Sequence, residues 1–234
     1  MTCVAGVDGC KHGWFAVFLD RSTGRCAWEL YGSIQAILDS TYVPKVVAID
    51  IPIGLLEKAE RGGRPCDRAA RELLGQPRAR SVFSPPVRKA LVHASEYRAA
   101  LAANRRSSSE KLGLSKQCHA LFPKLREADS LTLNGAKFKQ RIFEVHPEIC
   151  FYQINGCRPM RYSKKAKNRA GIDERKVVLS STEFAEFLMK ILDNRPQGVA
   201  QDDALDAIAA CWTALRIKAG KALPKSKSRP NIWR

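Results

Sequence analysis

Two kinds of apolar pattern follow one another along the chain. Short unbroken runs come first, over 3–8 and 13–20, rich in Val, Ala and Phe. Continuous runs of this length, without polar alternation, read as strands buried on both faces. A third run at 25–31 follows a Ser-Thr-Gly turn, so the first three strands form a meander. Ser33 is placed to cap a short helix over 34–39, with Ile34, Ile37 and Leu38 on one face. Pro44 breaks the chain, and 46–50 is a second β-branched run ending in an acid. The period then turns helical: 66–74, stopped by Gly75, then 89–103 and 114–125, with a loop at 81–86 and a flexible connection at 104–109. The last strand lies within 141–147. A basic loop at 163–169 leads to helices over 174–179 and 183–193 and to the longest helical period, 201–217. The remainder is a basic tail, with Trp233 as its candidate anchor.

This order predicts an α/β fold. A strand-helix-strand crossover makes the fourth strand parallel to its partner. If that partner is the first strand, Asp8 and Asp50 sit side by side at the carboxyl edge, where open α/β sheets bind ligands. The plainer readings are that Asp8-Gly9 is hairpin chemistry and that Asp50 is a turn residue before Pro52. The expected organisation is one domain over 1–217, a helical insertion at about 57–141 between strands 4 and 5, and a tail at 218–234.

The last helix has two apolar faces at about 100° per residue. Leu205, Ile208, Trp212 and Leu215 make a bulky stripe, while Asp203, Asp206, Ala207, Ala210 and Ala214 share a face of small residues fit for close approach to a sheet. Asp202 lies on a polar edge. Capping of the helix start accounts for Asp202 and for one further Asp, but poorly for two acids on an alanine face.

Charge changes the picture. Lys and Arg number 40 against 23 Asp and Glu, a formal net charge of +17. Such a balance favours a polyanionic partner, nucleic acid or an anionic surface. No apolar run approaches the roughly 18 residues of a spanning helix, no signal peptide is visible, and no membrane partner is expected. The eight cysteines are scattered and never form Cys-x-x-Cys, against a disulfide framework or a zinc site. A reducing, cytoplasmic setting follows. The insertion carries much of the basic bias, through Arg61, Arg64, Arg68, Arg71, Arg78, Arg80, Arg88, Lys89, Arg105 and Arg106. Arg68 and Arg71 are three apart on one helix and can share a face toward the active edge. With Arg64, and with Lys165 of the basic loop, they are the expected substrate-phosphate contacts.

Asp8, Asp50, Asp203 and Asp206 are thus candidates for one carboxylate cluster. Each acid would raise the pKa of its neighbours unless cations are present. Oxygen-only clusters suit Mg²⁺ or Mn²⁺, and a pair of such ions can drive in-line phosphoryl displacement. Glu144 and His146 share a face of the last strand. Glu144 is an accessory catalytic candidate, whereas His146 is either a ligand or a polar strand-end residue.

Five segments carry a resemblance: Val4-Ala-Gly-Val-Asp8-Gly9, Ala48-Ile-Asp50-Ile-Pro-Ile-Gly54, Ser81-Val-Phe-Ser-Pro-Pro86, Phe143-Glu-Val-His-Pro-Glu148 and Gln201-Asp-Asp-Ala-Leu-Asp206-Ala. They resemble the family of predicted RNase H-like nucleases (domain of unknown function 429), itself distantly similar to Holliday-junction resolvases. The resemblance implies an RNase H-like mixed sheet of order 3-2-1-4-5. It implies that Asp8 matches the resolvases' first-strand acid and that Asp203-Ala-Leu-Asp206 matches their final-helix pair. Asp50 stands where they carry a Glu, one carbon longer. Glu144 and His146 belong to the family's own motif.

The expected function is a Mg²⁺- or Mn²⁺-dependent nuclease acting on DNA or RNA by a two-metal mechanism, with a homodimer kept open as its assembly. Two alternatives stand beside it. One is a nucleic-acid-binding protein without catalysis, which the charge alone would explain. The other is an RNase H-fold phosphotransferase of the sugar-kinase and actin type. Those proteins place Gly, Ser or Thr after the first acid to cradle phosphates and usually need two such domains, whereas here Cys10-Lys11-His12 follows Asp8-Gly9 and only one domain fits.

Overall fold

The computed structural model describes residues 3–134, 140–165, 169–224 and 231–233. β1 (Cys3–Cys10), β2 (Gly13–Asp20) and β3 (Arg25–Tyr31) form the antiparallel meander. α1 (Ile34–Leu38) follows, and the Ser33 hydroxyl accepts from the Ala36 amide at 3.1 Å. The crossover returns the chain as β4 (Val46–Ile49), parallel to β1, and β5 (Ile142–Glu144) pairs parallel to β4. The sheet order is β3-β2-β1-β4-β5, the order expected for an RNase H-like sheet.

Two details decide between the readings of the strand-end acids. β1 runs on to Cys10, with Asp8 opposite Phe15 and the reversal at Lys11-His12, so Asp8 is a strand residue. The Asp50 amide donates to the Val7 carbonyl at 3.0 Å, so parallel pairing extends to Asp50 before the chain turns away.

The segment between β4 and β5 contains α2 (Pro65–Leu74), two 3₁₀ turns (Arg78–Ser81 and Arg88–His93), α3 (Tyr97–Arg106), α4 (Lys116–Ala120) and α5 (Phe122–Asn134). α2 stops at Gly75, whose φ of 60° suits glycine. The helix expected over 89–103 is broken, because Glu96 is extended and starts a new helix. That helix runs past 103 because Asn104 is buried and fully used. Its side chain accepts from the Val87 amide and donates to the Leu112 and Gly113 carbonyls. Part of the expected connection at 104–109 is therefore helix.

Strand parity divides the core. Val4, Cys10, Val46, Ala48 and Val145 face one side, packed with α6 (Pro147–Ile154), α7 (Ala170–Leu179), α8 (Ala185–Asp193) and α9 (Gln201–Lys218). Cys3, Ala5, Val7, Val47, Ile49 and Ile142 face the other, against α1 and the insertion. α9 lies directly on β1. A Cβ built on Gly6 would stand 1.9 Å from the Cys211 amide nitrogen and 2.2 Å from the Ala207 carbonyl oxygen. Helix backbone rests on strand backbone there, with Ala207, Ala210 and Ala214 fully buried around the contact.

The end of the chain returns to the free edge of β5. The Trp233 amide donates to the Glu144 carbonyl at 2.9 Å, and the indole meets Phe143 edge-on at 5.2 Å. Trp233 is thus an anchor, and this short bridge covers an edge strand. All eight cysteines are free. No helix among the described residues is long and apolar enough to cross a membrane.

Gly6→Ala is expected to cost about 3 kcal/mol or more, because neither backbone can yield to the added methyl. Urea unfolding of the variant against the parent checks it. An unchanged midpoint would refute the backbone contact.

Candidate active site

Asp8 and Asp50 stand at the carboxyl ends of neighbouring parallel strands. Val7 pairs with Ile49, so the next residues on each strand, Asp8 and Asp50, both turn toward α9. The first turns of α9 end above these strand tips because Gly6 lets the helix lie close. Asp206 comes down beside them, 1% exposed. The three carboxylates line one cleft of about 750 Å³, with Asp202 and Asp203 at its rim.

Burial and mutual repulsion set their chemistry. Asp8 is held well above the usual carboxylate range by burial first, then by Asp50, Asp206 and Asp203, against the lowering effect of Lys164. Burial, with Asp206 next, pushes Asp50 up to about 7. Burial also raises Asp206, opposed by Lys164 and Arg175. Lys164 is the counter-charge. Its Nζ donates to Asp206 Oδ2 at 2.7 Å and lies 3.5 Å from Asp202. Burial alone would lower its pKa, yet Asp206, Asp8 and Asp202 outweigh that and raise it. Asp206 Oδ1 is buried without a hydrogen-bond partner. Asp203 has a second role, since its carboxylate accepts from the Ala200 amide at 3.1 Å and caps α9. Of the acids at that helix start, Asp203 is the cap, and Asp202 faces Lys164.

An all-oxygen donor set with one bare buried oxygen fits a hard divalent cation. Asp8, Asp50 and Asp206 are the residues that would hold it. Among the described residues, no three His, Cys, Asp or Glu side chains are already drawn together tightly enough to enclose an ion.

Glu144 is elsewhere. It pairs with Ile49, not with Asp50, and so falls on the opposite face of the sheet. There Arg64 grips it with two hydrogen bonds, of 2.8 and 2.5 Å, while Arg64 also holds Asp67 at 2.6 Å and the Ile53 carbonyl at 3.0 Å. Glu144 further accepts from the Ile53 amide at 2.7 Å. The expectation that Arg64 contacts substrate is corrected: it is 2% exposed, and this ion cluster takes up its donors. Glu144 likewise braces the turn after Asp50 and does not line the cleft.

Arg68 and Arg71 are also corrected. Arg68 bonds Glu60 and the Gly63 carbonyl, and Arg71 bonds the Gly62 and Val82 carbonyls and the Ser84 hydroxyl. Both tie loops together and neither lines the cleft. Lys165 does line it, exposed, with Arg78, Arg80 and Lys124. Arg78, Arg80 and Lys165 make no ion pair among the described residues. Lys164 and Glu148 are cleft residues that sequence reasoning passed over. Nothing in Ser163-Lys-Lys separates Lys164 from its neighbour. Glu148 lies in a quoted segment, but only the fold shows its pairing with Arg175 at 2.5 Å. His146 also lines the cleft, near the Ser81 carbonyl at 3.4 Å, and burial lowers its pKa.

The chain matches the family described as protein of unknown function (DUF429) over residues 6–229. The chain belongs to this family. No curated protein and no solved structure matches it. In this member of the DUF429 family the matched span contains all five cleft aspartates and both cleft lysines of the basic loop.

Two predictions test this geometry. Arg64→Ala leaves Glu144 and Asp67 buried without their cation and should destabilise the protein by about 3–5 kcal/mol. A merely exposed phosphate contact would cost almost nothing in the same denaturation experiment. Burial, with Asp206 next, pushes the Asp50 carboxyl from the ordinary value of 3.8 up to about 7 in the folded state. Between those values the folded state binds more protons, so this contribution to stability falls as pH rises from about 4 to about 7. In metal-free buffer at pH 8, Asp50→Asn should therefore be more stable than the parent, by up to about 4 kcal/mol. At pH 4 the gap should vanish, as melting across pH would show.

Proposed function

We propose that this protein is a Mg²⁺- or Mn²⁺-dependent nuclease that hydrolyses phosphodiester bonds of a nucleic acid. One observation carries the reading. Asp8, Asp50 and Asp206, the last with a bare buried oxygen, line a cleft that also presents basic side chains free of ion pairs. Carboxylates alone would repel a phosphodiester, and basic side chains alone would only bind it. The sheet order and the placement of the acids on β1, β4 and α9 support a kinship with RNase H-like nucleases, although a fold by itself assigns no activity.

The residues divide the work. Asp8, Asp50 and Asp206 would hold the divalent ion, which when bound supplies a water of lowered pKa and stabilises charge on the phosphoryl oxygens. Arg78, Arg80 and Lys165 bind and orient the phosphates along the cleft wall. Asp203 fixes the start of α9 and with it the position of Asp206. Arg64 and Glu144 hold the 50–53 turn from the far face. Lys124 donates to the Gly13 carbonyl at 2.6 Å and lies 4.5 Å over the Trp14 ring, which braces the hairpin behind Asp8.

A binding protein without catalysis is the second reading. The Lys164 ammonium already seated on Asp206 favours it. The +17 net charge alone is enough for that reading.

Asp8→Asn and Asp206→Asn should each abolish Mn²⁺-dependent cleavage of labelled DNA and RNA oligonucleotides while leaving the fold intact. Arg78→Ala with Arg80→Ala should leave the carboxylates untouched but weaken binding at every sequence. The double change should flatten the plot of log affinity against log salt by about one unit per lost duplex phosphate contact. Arg68→Ala with Arg71→Ala should leave that slope unchanged. Binding that persists without any metal-dependent cleavage would leave the second reading. No binding at low salt would end both.

A further inference from the structure

The strongest unexplained feature of the cleft is that a lysine occupies it. Most surface lysines are mobile, but the segment bearing Lys164 is clamped. The Glu174 carboxylate accepts from the Arg161 and Tyr162 amides at 2.8 and 2.9 Å. Buried Arg175 holds the Tyr162 carbonyl at 3.2 Å and the Gly171 carbonyl at 2.8 Å. Gly171 is bare for a reason: a Cβ there would stand 1.8 Å from the Ser163 carbonyl oxygen. The segment thus presses onto α7, and the ammonium is delivered to Asp206 at 2.7 Å from a fixed anchor. Asp202, one turn earlier on α9, holds it from the other side at 3.5 Å.

We propose that Lys164 is a built-in cation of the carboxylate cluster and that the cluster accepts one divalent ion, not two. This rests on the metal-dependent reading above and narrows it. The Lys164 ammonium pairs with Asp206 at 2.7 Å and lies 3.5 Å from Asp202, so the cluster already holds one resident positive charge between two of its carboxylates. The ammonium takes Asp206 Oδ2, while Oδ1 stays buried and bare for the ion. A second divalent ion would sit beside both the first ion and Lys164, with Asp203 partly committed to the Ala200 amide. Like charges this close repel one another, and with Asp8 and Asp206 buried the solvent screens that repulsion only in part.

The test is a Mn²⁺ titration of the full chain without nucleic acid, following free Mn²⁺ by electron paramagnetic resonance. Parent, Lys164→Met and Lys164→Arg are compared. The parent should bind one ion. Lys164→Met should bind two, or bind its first ion at least about tenfold more tightly. Lys164→Arg keeps the charge and should remain at one ion. Two ions in the parent would overturn the proposal whether or not the methionine variant folds. So would identical stoichiometry and affinity in parent and Lys164→Met, while leaving the metal-dependent reading in place. A parent that binds no Mn²⁺ would remove that reading, and the proposal with it.

Discussion

Helix α9 lies on strand β1 backbone to backbone, and the rest of the site follows from that contact. A side chain at Gly6 would collide with the Cys211 amide and the Ala207 carbonyl, so the helix would have to lift off the sheet. The alanine face of α9 exists for the same reason. Close approach brings the start of the helix over the tips of β1 and β4, and Asp206 reaches the level of Asp8 and Asp50. Asp203 fixes where the helix begins by capping it. A small error in that seating would carry Asp206 out of the cleft, since a residue on a helix moves with the whole element.

The parallel pairing of β1 and β4 sets the second constraint. Neighbours in register share a face, so Val7 opposite Ile49 makes Asp8 and Asp50 a pair. The same register assigns Glu144 to the opposite face, beside Ile49. The two groups of acids therefore meet different fates. On the α9 face, three carboxylates share a wet cleft with Lys164. On the other face, Glu144 and Asp67 surround Arg64 in a dry ion cluster that holds the turn following Asp50. Buried ion pairs add little net stability, yet they resist the loss of one partner and so specify geometry. That cluster and the Glu148–Arg175 pair brace the cleft from two sides.

These arrangements also separate basic residues that look alike in the chain. A guanidinium within reach of a buried carboxylate or of unpaired loop carbonyls is drawn into the structure, as Arg64, Arg68 and Arg71 are. Arg78 and Arg80 lie on a 3₁₀ turn at the cleft wall and make no ion pair among the described residues. The excess positive charge of the chain is thus a poor guide to which cations meet a ligand. What the +17 does impose is a long-range attraction for polyanions, with local packing choosing the contact points.

Much of the architecture was legible in the chain itself. Unbroken Val- and Ala-rich runs, a capped helix and a Pro-bounded return dictate strands, their order and the parallel β1–β4 pair, because these depend on local periodicity and on the handedness of crossovers. Asp8, Asp50 and Asp206 were legible for the same reason, as acids at the ends of apolar elements with no local partner. The run of α3 past 103 was not, since Asn104 is satisfied by groups 8 to 17 residues away in sequence. Glu144 looked like a site residue because parity within one strand says which residues share a face, not which face. That is settled only by the register with β4. The parts taken by Arg64 and Lys164 were hidden for a further physical reason. The energy of a charge is decided by what lies within a few ångströms of it, and those neighbours come from Glu144, Asp206 and Gly171, residues that only the tertiary fold brings near.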